Sequence, residues 1–175
     1  DVPGAVLWLL QGNDLADLNL RAAALEHGID GDRIVFARRV GYEQHLARLG
    51  LADLFLDTLP VNAHTTASEA LWCGVPVLTC MGTHFTSRVA ASLLTAVGLP
   101  ELITTSLADY AREALALARD PVRLSALRDR LAASRLTAPL FDTPRYVRNY
   151  EAALERMVGS KAAGTRSMHF AIQES

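Results

Sequence analysis

The chain has 175 residues, 50% of them hydrophobic, 6% aromatic and 21% charged, with a formal net charge of -2. Such a chain builds one domain with a full core, and its near balance of charge leaves no electrostatic footprint for nucleic acid as a general partner. Of the 17 basic residues every one except Lys161 is Arg, so a phosphate held here is neutralised by Arg, His or backbone, there being no P-loop lysine.

In chain order, an apolar run at 5–10 reads as the first strand, and Gly12-Asn13-Asp14 is turn chemistry. Asp14 or Asp17 caps a helix over 15–28, which Gly28 or Gly31 ends. Residues 33–40 form a second strand, and 42–53 a short helix with Leu46 and Leu49 on one face and His45 and Arg48 on a neighbouring one. A third strand, 54–59, runs through a loop into a helix over 66–73 that closes at Gly74, and 75–80 is the fourth strand. A helix over 87–98 closes at Gly98, and 101–105 is a weaker fifth strand. Two amphipathic helices follow, 107–120 and 121–134, the second opened by Pro121 at its first position. The last helix is 145–158, and 159–175 is a polar, unpatterned, loosely held tail. Short, continuously apolar strands alternating with helices predict an α/β fold, a Rossmann-like parallel sheet with helices on both faces.

Ligands in such sheets bind beyond the C-terminal ends of the strands. His64, Thr65 and Thr66 occupy that place, at the start of a helix with Glu69 in its first turn. A helix start offers unpaired N–H groups and a partial positive charge, the threonine hydroxyls add donors, and His64 adds a donor or a charge, so the segment reads as an anion site for the diphosphate of a nucleotide. On spacing alone the plainer reading is a capping box between Thr66 and Glu69. His45 and Arg48, three apart on a helix, share a face; their plainer reading is a solvated surface. No GxGxxG, no GxxxxGK[ST] and no internal repeat occurs.

Other polar and aromatic residues take simpler expectations. Trp72 reads as core, and His27 as a favourable partner for a helix C-terminus. Arg88, at a helix start, calls for a phosphate or carboxylate partner; His84 reads as a surface-loop residue. Cys73 and Cys80 read as two buried free thiols, with no zinc spacing and no metal pair of acidic residues. No stretch is long and apolar enough to span a bilayer, and the first residues lack a basic signal-peptide region, so the expected setting is cytoplasmic, with no membrane partner.

The runs FLDTLPVNAHTTASEALWCGVPVLT, SRVAASLLTAVGLPELI and APLFDTPRY, in this order, resemble the C-terminal part of the O-linked N-acetylglucosamine transferase family, in the manner of a bacterial member. The resemblance covers about Val6 to Met157. It implies the C-terminal, donor-binding lobe of a GT-B glycosyltransferase over 1–158, with UDP-GlcNAc as donor substrate, no cofactor, no metal and an inverting transfer to a Ser or Thr hydroxyl of protein. It places His64, Thr65 and Thr66 on the UDP diphosphate, where Thr65 and Thr66 stabilise the leaving group. It places Glu69 on the ribose hydroxyls, His45 and Arg48 near the uracil, and the Val40 backbone on the base edge. Tyr42 stands where the animal enzymes have a lysine. An N-terminal lobe with the catalytic histidine region, and tetratricopeptide repeats, are expected outside this chain, which is then inactive alone; the last helix, through Tyr146, Tyr150 and Leu154, packs either on that lobe or on its own sheet. Two alternatives stay open: another GT-B nucleotide-sugar enzyme, transferase or epimerase, and a non-catalytic α/β binding module.

Overall fold

The computed structural model describes residues 2–165 and 169–172. Five strands each followed by an α-helix, and then two further α-helices, are found among them. Strand β1 (Leu7–Leu10) pairs parallel with β2 (Ile34–Ala37), Leu7 opposite Ile34 and Leu10 opposite Ala37. Strand β4 (Val77–Cys80) is the centre of a second parallel group, between β3 (Phe55–Leu56) and β5 (Ile103–Thr104). Every pairing is parallel, as continuously apolar strands require. The hydrogen-bonded sheet is thus divided into a two-stranded and a three-stranded part.

All four residues of β4 are buried. Helices α3 (Thr65–Trp72), α4 (Val89–Ala96) and α5 (Leu107–Ala118) pack on this strand. Ala67, Ala70 and Leu71 of α3, Leu94 of α4, Leu117 of α5, and Leu127 and Leu131 of α6 (Pro121–Ser134) form one core with Val77 and Leu78. Gly74 ends α3 with φ +79°, the left-handed conformation that favours glycine after a helix.

The first forty residues are packed differently. Helix α1 (Asp14–Glu26) has no buried residue, and Leu15, Leu18 and Leu25 are exposed. Helix α1 thus buries less against its strands than α3, α4 and α5 do around β4. The α1 cap is Asn13, whose side chain accepts from the Ala16 N–H at 2.9 Å, in place of Asp14 or Asp17.

Helix α7 runs over Thr143–Ala162, longer at both ends than 145–158. It starts earlier because Asp142 accepts the Arg145 N–H at 3.0 Å. It runs past Gly159 into the stretch read as tail. The chain then returns on it: the Arg156 guanidinium lies 4.5 Å from the Phe170 ring centroid and donates to the Ala171 carbonyl at 3.3 Å. Residues 166–168 and 173–175 of the expected tail lie outside the described residues. Tyr146, Tyr150 and Leu154 are exposed, so α7 does not lay this stripe on its own sheet. Among the described residues no helix is long and apolar enough to cross a membrane.

Candidate nucleotide-sugar site

The site starts where β3 ends. Asp57 continues the ladder, its N–H donating to the Leu78 carbonyl at 3.0 Å, and then its carboxylate ends the strand. One oxygen accepts the Thr58 N–H at 2.9 Å and the Ala63 N–H at 2.7 Å; the other accepts the Thr79 hydroxyl at 2.5 Å. The Tyr110 hydroxyl reaches over from α5 and donates to the Asp57 carbonyl at 2.9 Å. Burial, and then the Asp57 charge, push the Tyr110 phenol up to about 12. Asn62 holds the loop between: its side-chain amide donates to the Thr58 carbonyl at 3.2 Å and its N–H to the Thr86 carbonyl at 2.9 Å.

Helix α3 begins at Thr65, with His64 as its N-cap. The cap residue has φ -104° and ψ -89° and makes no side-chain capping bond. The first N–H of the segment with an intrahelical partner is that of Ser68, which donates to the His64 carbonyl at 3.1 Å. Among the described residues no protein acceptor meets the N–H groups of Thr65, Thr66 or Ala67. His64, Thr65 and Thr66 are exposed, so the predicted donors do stand together at an open helix end. The edge of the Phe85 ring meets the His64 ring, with centroids 6.1 Å apart.

The capping box does not form. Because the helix starts at Thr65, Glu69 lies beyond the first turn and faces helix α2 (Tyr42–Leu49). There its carboxylate lies 3.6 Å from His45 Nε2 and close enough to the Tyr42 phenol for its charge to act on it. Desolvation first, then the Glu69 charge, raise that phenol above its ordinary value. Arg48 lies beside His45, its guanidinium 3.5 Å from Nδ1. A guanidinium only donates, so a bond between the two is accepted at Nδ1. Arg48 also donates to the Arg38 carbonyl at 2.6 Å and lies 6.0 Å from the Trp8 ring centroid. Val40, in the loop between β2 and α2, is exposed, and neither its N–H nor its carbonyl has a partner among the described residues. Val40 is left apart, two residues ahead of the Tyr42, His45, Arg48 and Glu69 cluster.

Several expectations need correction. Trp72 is not core: it is 39% exposed, stacked edge-on with Phe141 at 5.1 Å and covered by Arg135 at 5.3 Å. Arg88 meets no carboxylate among the described residues, and donates to the Gly82 carbonyl at 3.3 Å. Cys80 is buried, but Cys73 is only half-buried; its thiol donates to the Leu46 carbonyl at 3.4 Å, and desolvation raises it above the ordinary thiol range. His27 does serve a helix end, with Nδ1 2.8 Å from the Ala23 carbonyl. Asp57, Thr79 and Tyr110 escaped the sequence reading. The one signal was a carboxylate inside an apolar strand run, which a buried, fully bonded acceptor would explain.

The sequence model of Glycosyl transferase family 41 matches residues 1–150. The chain is 39% identical, over 99% of its length, to an Arabidopsis thaliana protein named probable UDP-N-acetylglucosamine--peptide N-acetylglucosaminyltransferase SEC, of which it spans 18%. It is 36% identical, over 90% of its length, to the Caenorhabditis elegans UDP-N-acetylglucosamine--peptide N-acetylglucosaminyltransferase, of which it spans 14%. Its structure superposes on that of a Thermobaculum terrenum O-GlcNAc transferase mutant, K341M, with a TM-score of 0.81 and 32% identity, covering 89% of this chain and 30% of that one. The chain therefore spans less than a fifth of the curated relatives, and by its match over 1–150 it belongs to glycosyl transferase family 41.

Proposed function

We propose that this chain is the donor-binding lobe of an inverting glycosyltransferase that moves N-acetylglucosamine from UDP-GlcNAc to a Ser or Thr hydroxyl of protein. One observation carries the reading: a helix start whose first N–H groups lack protein acceptors among the described residues, beside the exposed side chains of two threonines and a histidine. Free N–H groups at a helix start suit the diphosphate. Glu69 is drawn away from that end towards Tyr42 and His45, which leaves the anion's place free of a carboxylate and sets an acceptor for the ribose hydroxyls one turn further on. His45, Arg48 and the unpaired Val40 backbone then face the base.

As the glycosidic bond breaks, negative charge grows on the departing phosphate. Donors already aimed at it lower the barrier, and one such donor can be worth about 3 kcal/mol. The acceptor hydroxyl is activated by groups of an N-terminal lobe, the protein substrate is recognised by that lobe and by tetratricopeptide repeats, and these 175 residues alone transfer nothing. Two free thiols suit a cytoplasmic enzyme.

Calorimetry with UDP tests the proposal on this chain. Thr65→Val with Thr66→Val removes both hydroxyls at nearly constant volume and should weaken UDP binding by about 10- to 100-fold. A wild-type chain that does not bind UDP, or a double variant that binds it equally well, overturns the reading. Competition among UDP-sugars separates UDP-GlcNAc from other donors.

A further inference from the structure

We propose that Asp57 is a positioning residue for the diphosphate: its buried carboxylate fixes the loop at 58–63 so that the N–H groups at the start of α3 are left without protein acceptors before a ligand arrives. This inference rests on the diphosphate reading of that helix start.

Asp57 is 4% exposed, and all of its polar groups are engaged. Its N–H is tied to β4 through Leu78, its carbonyl to α5 through Tyr110, and its carboxylate to Thr58, Ala63 and Thr79. The decisive pair is Thr58 and Ala63. Their N–H groups lie at the two ends of the loop and share one oxygen, which closes the loop like a clasp. Ala63 immediately precedes the N-cap His64, so drawing the Ala63 N–H inward sets the backbone direction with which α3 begins. The loop is also held from outside by Asn62 and Thr86, whose strand-to-helix connection carries Phe85 against His64.

A buried carboxylate is an expensive way to end a strand, and apolar side chains could fill the same volume. Its charge also opposes an anion bound one loop away. Whatever Asp57 adds to diphosphate binding is therefore geometric: an acceptor of fixed position with three donors on it. Preorganised donors need no rearrangement when charge develops, which is what such a clasp supplies.

The test compares UDP with uridine, which lacks the phosphates, in NMR titrations of the full chain. Asp57→Ala should weaken UDP at least about tenfold and leave uridine within about twofold. Asp57→Asn keeps one carbonyl-type oxygen for Thr58 and Ala63 while removing the charge, and should bind UDP within about threefold of wild type. If Asp57→Ala fails to fold, Thr79→Val decides: it removes one donor to the carboxylate and should weaken UDP selectively, with Thr79→Ser restoring it. UDP and uridine falling together in these variants, or neither changing, overturns the positioning role while the diphosphate reading stands. A wild-type chain that binds uridine and not UDP overturns both.

Discussion

Tyr110→Phe isolates one bond of the polar cluster beneath the site, and its effect should depend on pH. The variant loses the hydroxyl that donates to the Asp57 carbonyl at 2.9 Å and little else. For a half-buried bond between neutral groups the loss at neutral pH should be about 0.5–1.5 kcal/mol. The phenol is also pushed from 10.0 up to about 12, by burial first and the Asp57 charge second. Below pH 10 both folded and unfolded chains keep that proton. Between 10 and 12 the unfolded chain releases it and the folded chain does not, so the unfolded state binds fewer protons and stability falls as pH rises. Two pH units correspond to a ceiling of about 2.7 kcal/mol; solvent screening of a half-exposed side chain reduces this to on the order of 1 kcal/mol. The Phe variant lacks the term. The stability gap between the two proteins should therefore hold steady up to about pH 10 and close by about 12. Urea unfolding followed by tryptophan fluorescence across that window measures the gap, and phenolate absorbance titrates the 4 tyrosines directly. A gap that stays constant through the window, or four phenols ionising together near their ordinary value, would refute the reasoning.

Leu78→Ala removes a fully buried side chain from the centre of β4, and urea unfolding should show a loss of about 2–5 kcal/mol; a loss well under one would mean that the core closes around the gap. Arg128 donates through two different nitrogens to the Gly50 carbonyl at 2.8 Å and the Ala52 carbonyl at 2.7 Å, a fork that ties α6 to the end of α2. Arg128→Lys cannot reproduce the fork and should cost about 1 kcal/mol in the same assay; equal stability would show that the second bond contributes nothing.

The order of elements was legible because apolar runs of strand length alternate with capped helices. The reading was sharpest where caps and prolines mark the boundary: α6 begins at Pro121 because Asp120 accepts the Arg123 N–H at 2.9 Å, and it ends at Ser134 as expected. It was poorest where a side chain acts against its local pattern. The run 54–59 looks like one strand, but pairing stops where Asp57 turns its carboxylate on the following backbone. Gly159 looks like a helix stop, yet α7 passes through it to Ala162. At the site, the residues brought together by the α2–α3 contact were found one by one from the sequence, but the partner of Glu69 was not. Spacing suggested Thr66, three residues away; the fold supplies Tyr42 and His45 from another helix. The polar cluster around Asp57 joins residues 22 and 53 positions apart, a separation no local pattern encodes.

The openness of α3 raises one last question, whether it is a property of the residue at 64 or of the backbone there. Burial of Ala67, Ala70 and Leu71, not a cap, holds this eight-residue helix in place. Four other helices are capped by a side chain, while α2 and α4, like α3, are not. Asn13 and Ser106 accept from their helix starts with ψ of 163° and 151°, and Asp120 and Asp142 do so with ψ of 83° and 80°. His64 has ψ -89°, far from all four. If capping needs the ψ these four share, a short hydroxyl at 64 should not reach back to the second or third N–H of the helix. At an ordinary N-cap, replacing a non-capping residue by Ser adds about 1 kcal/mol. Here His64→Ser should leave stability within about 0.5 kcal/mol of wild type, the range of an ordinary surface substitution, since the exposed ring gives up only its edge contact with Phe85. A gain of about 1 kcal/mol in urea unfolding would show that the segment can cap itself when offered a hydroxyl. In that event the free N–H groups would follow from the choice of residue alone, and the backbone set by the Asp57 loop would not be what keeps them open.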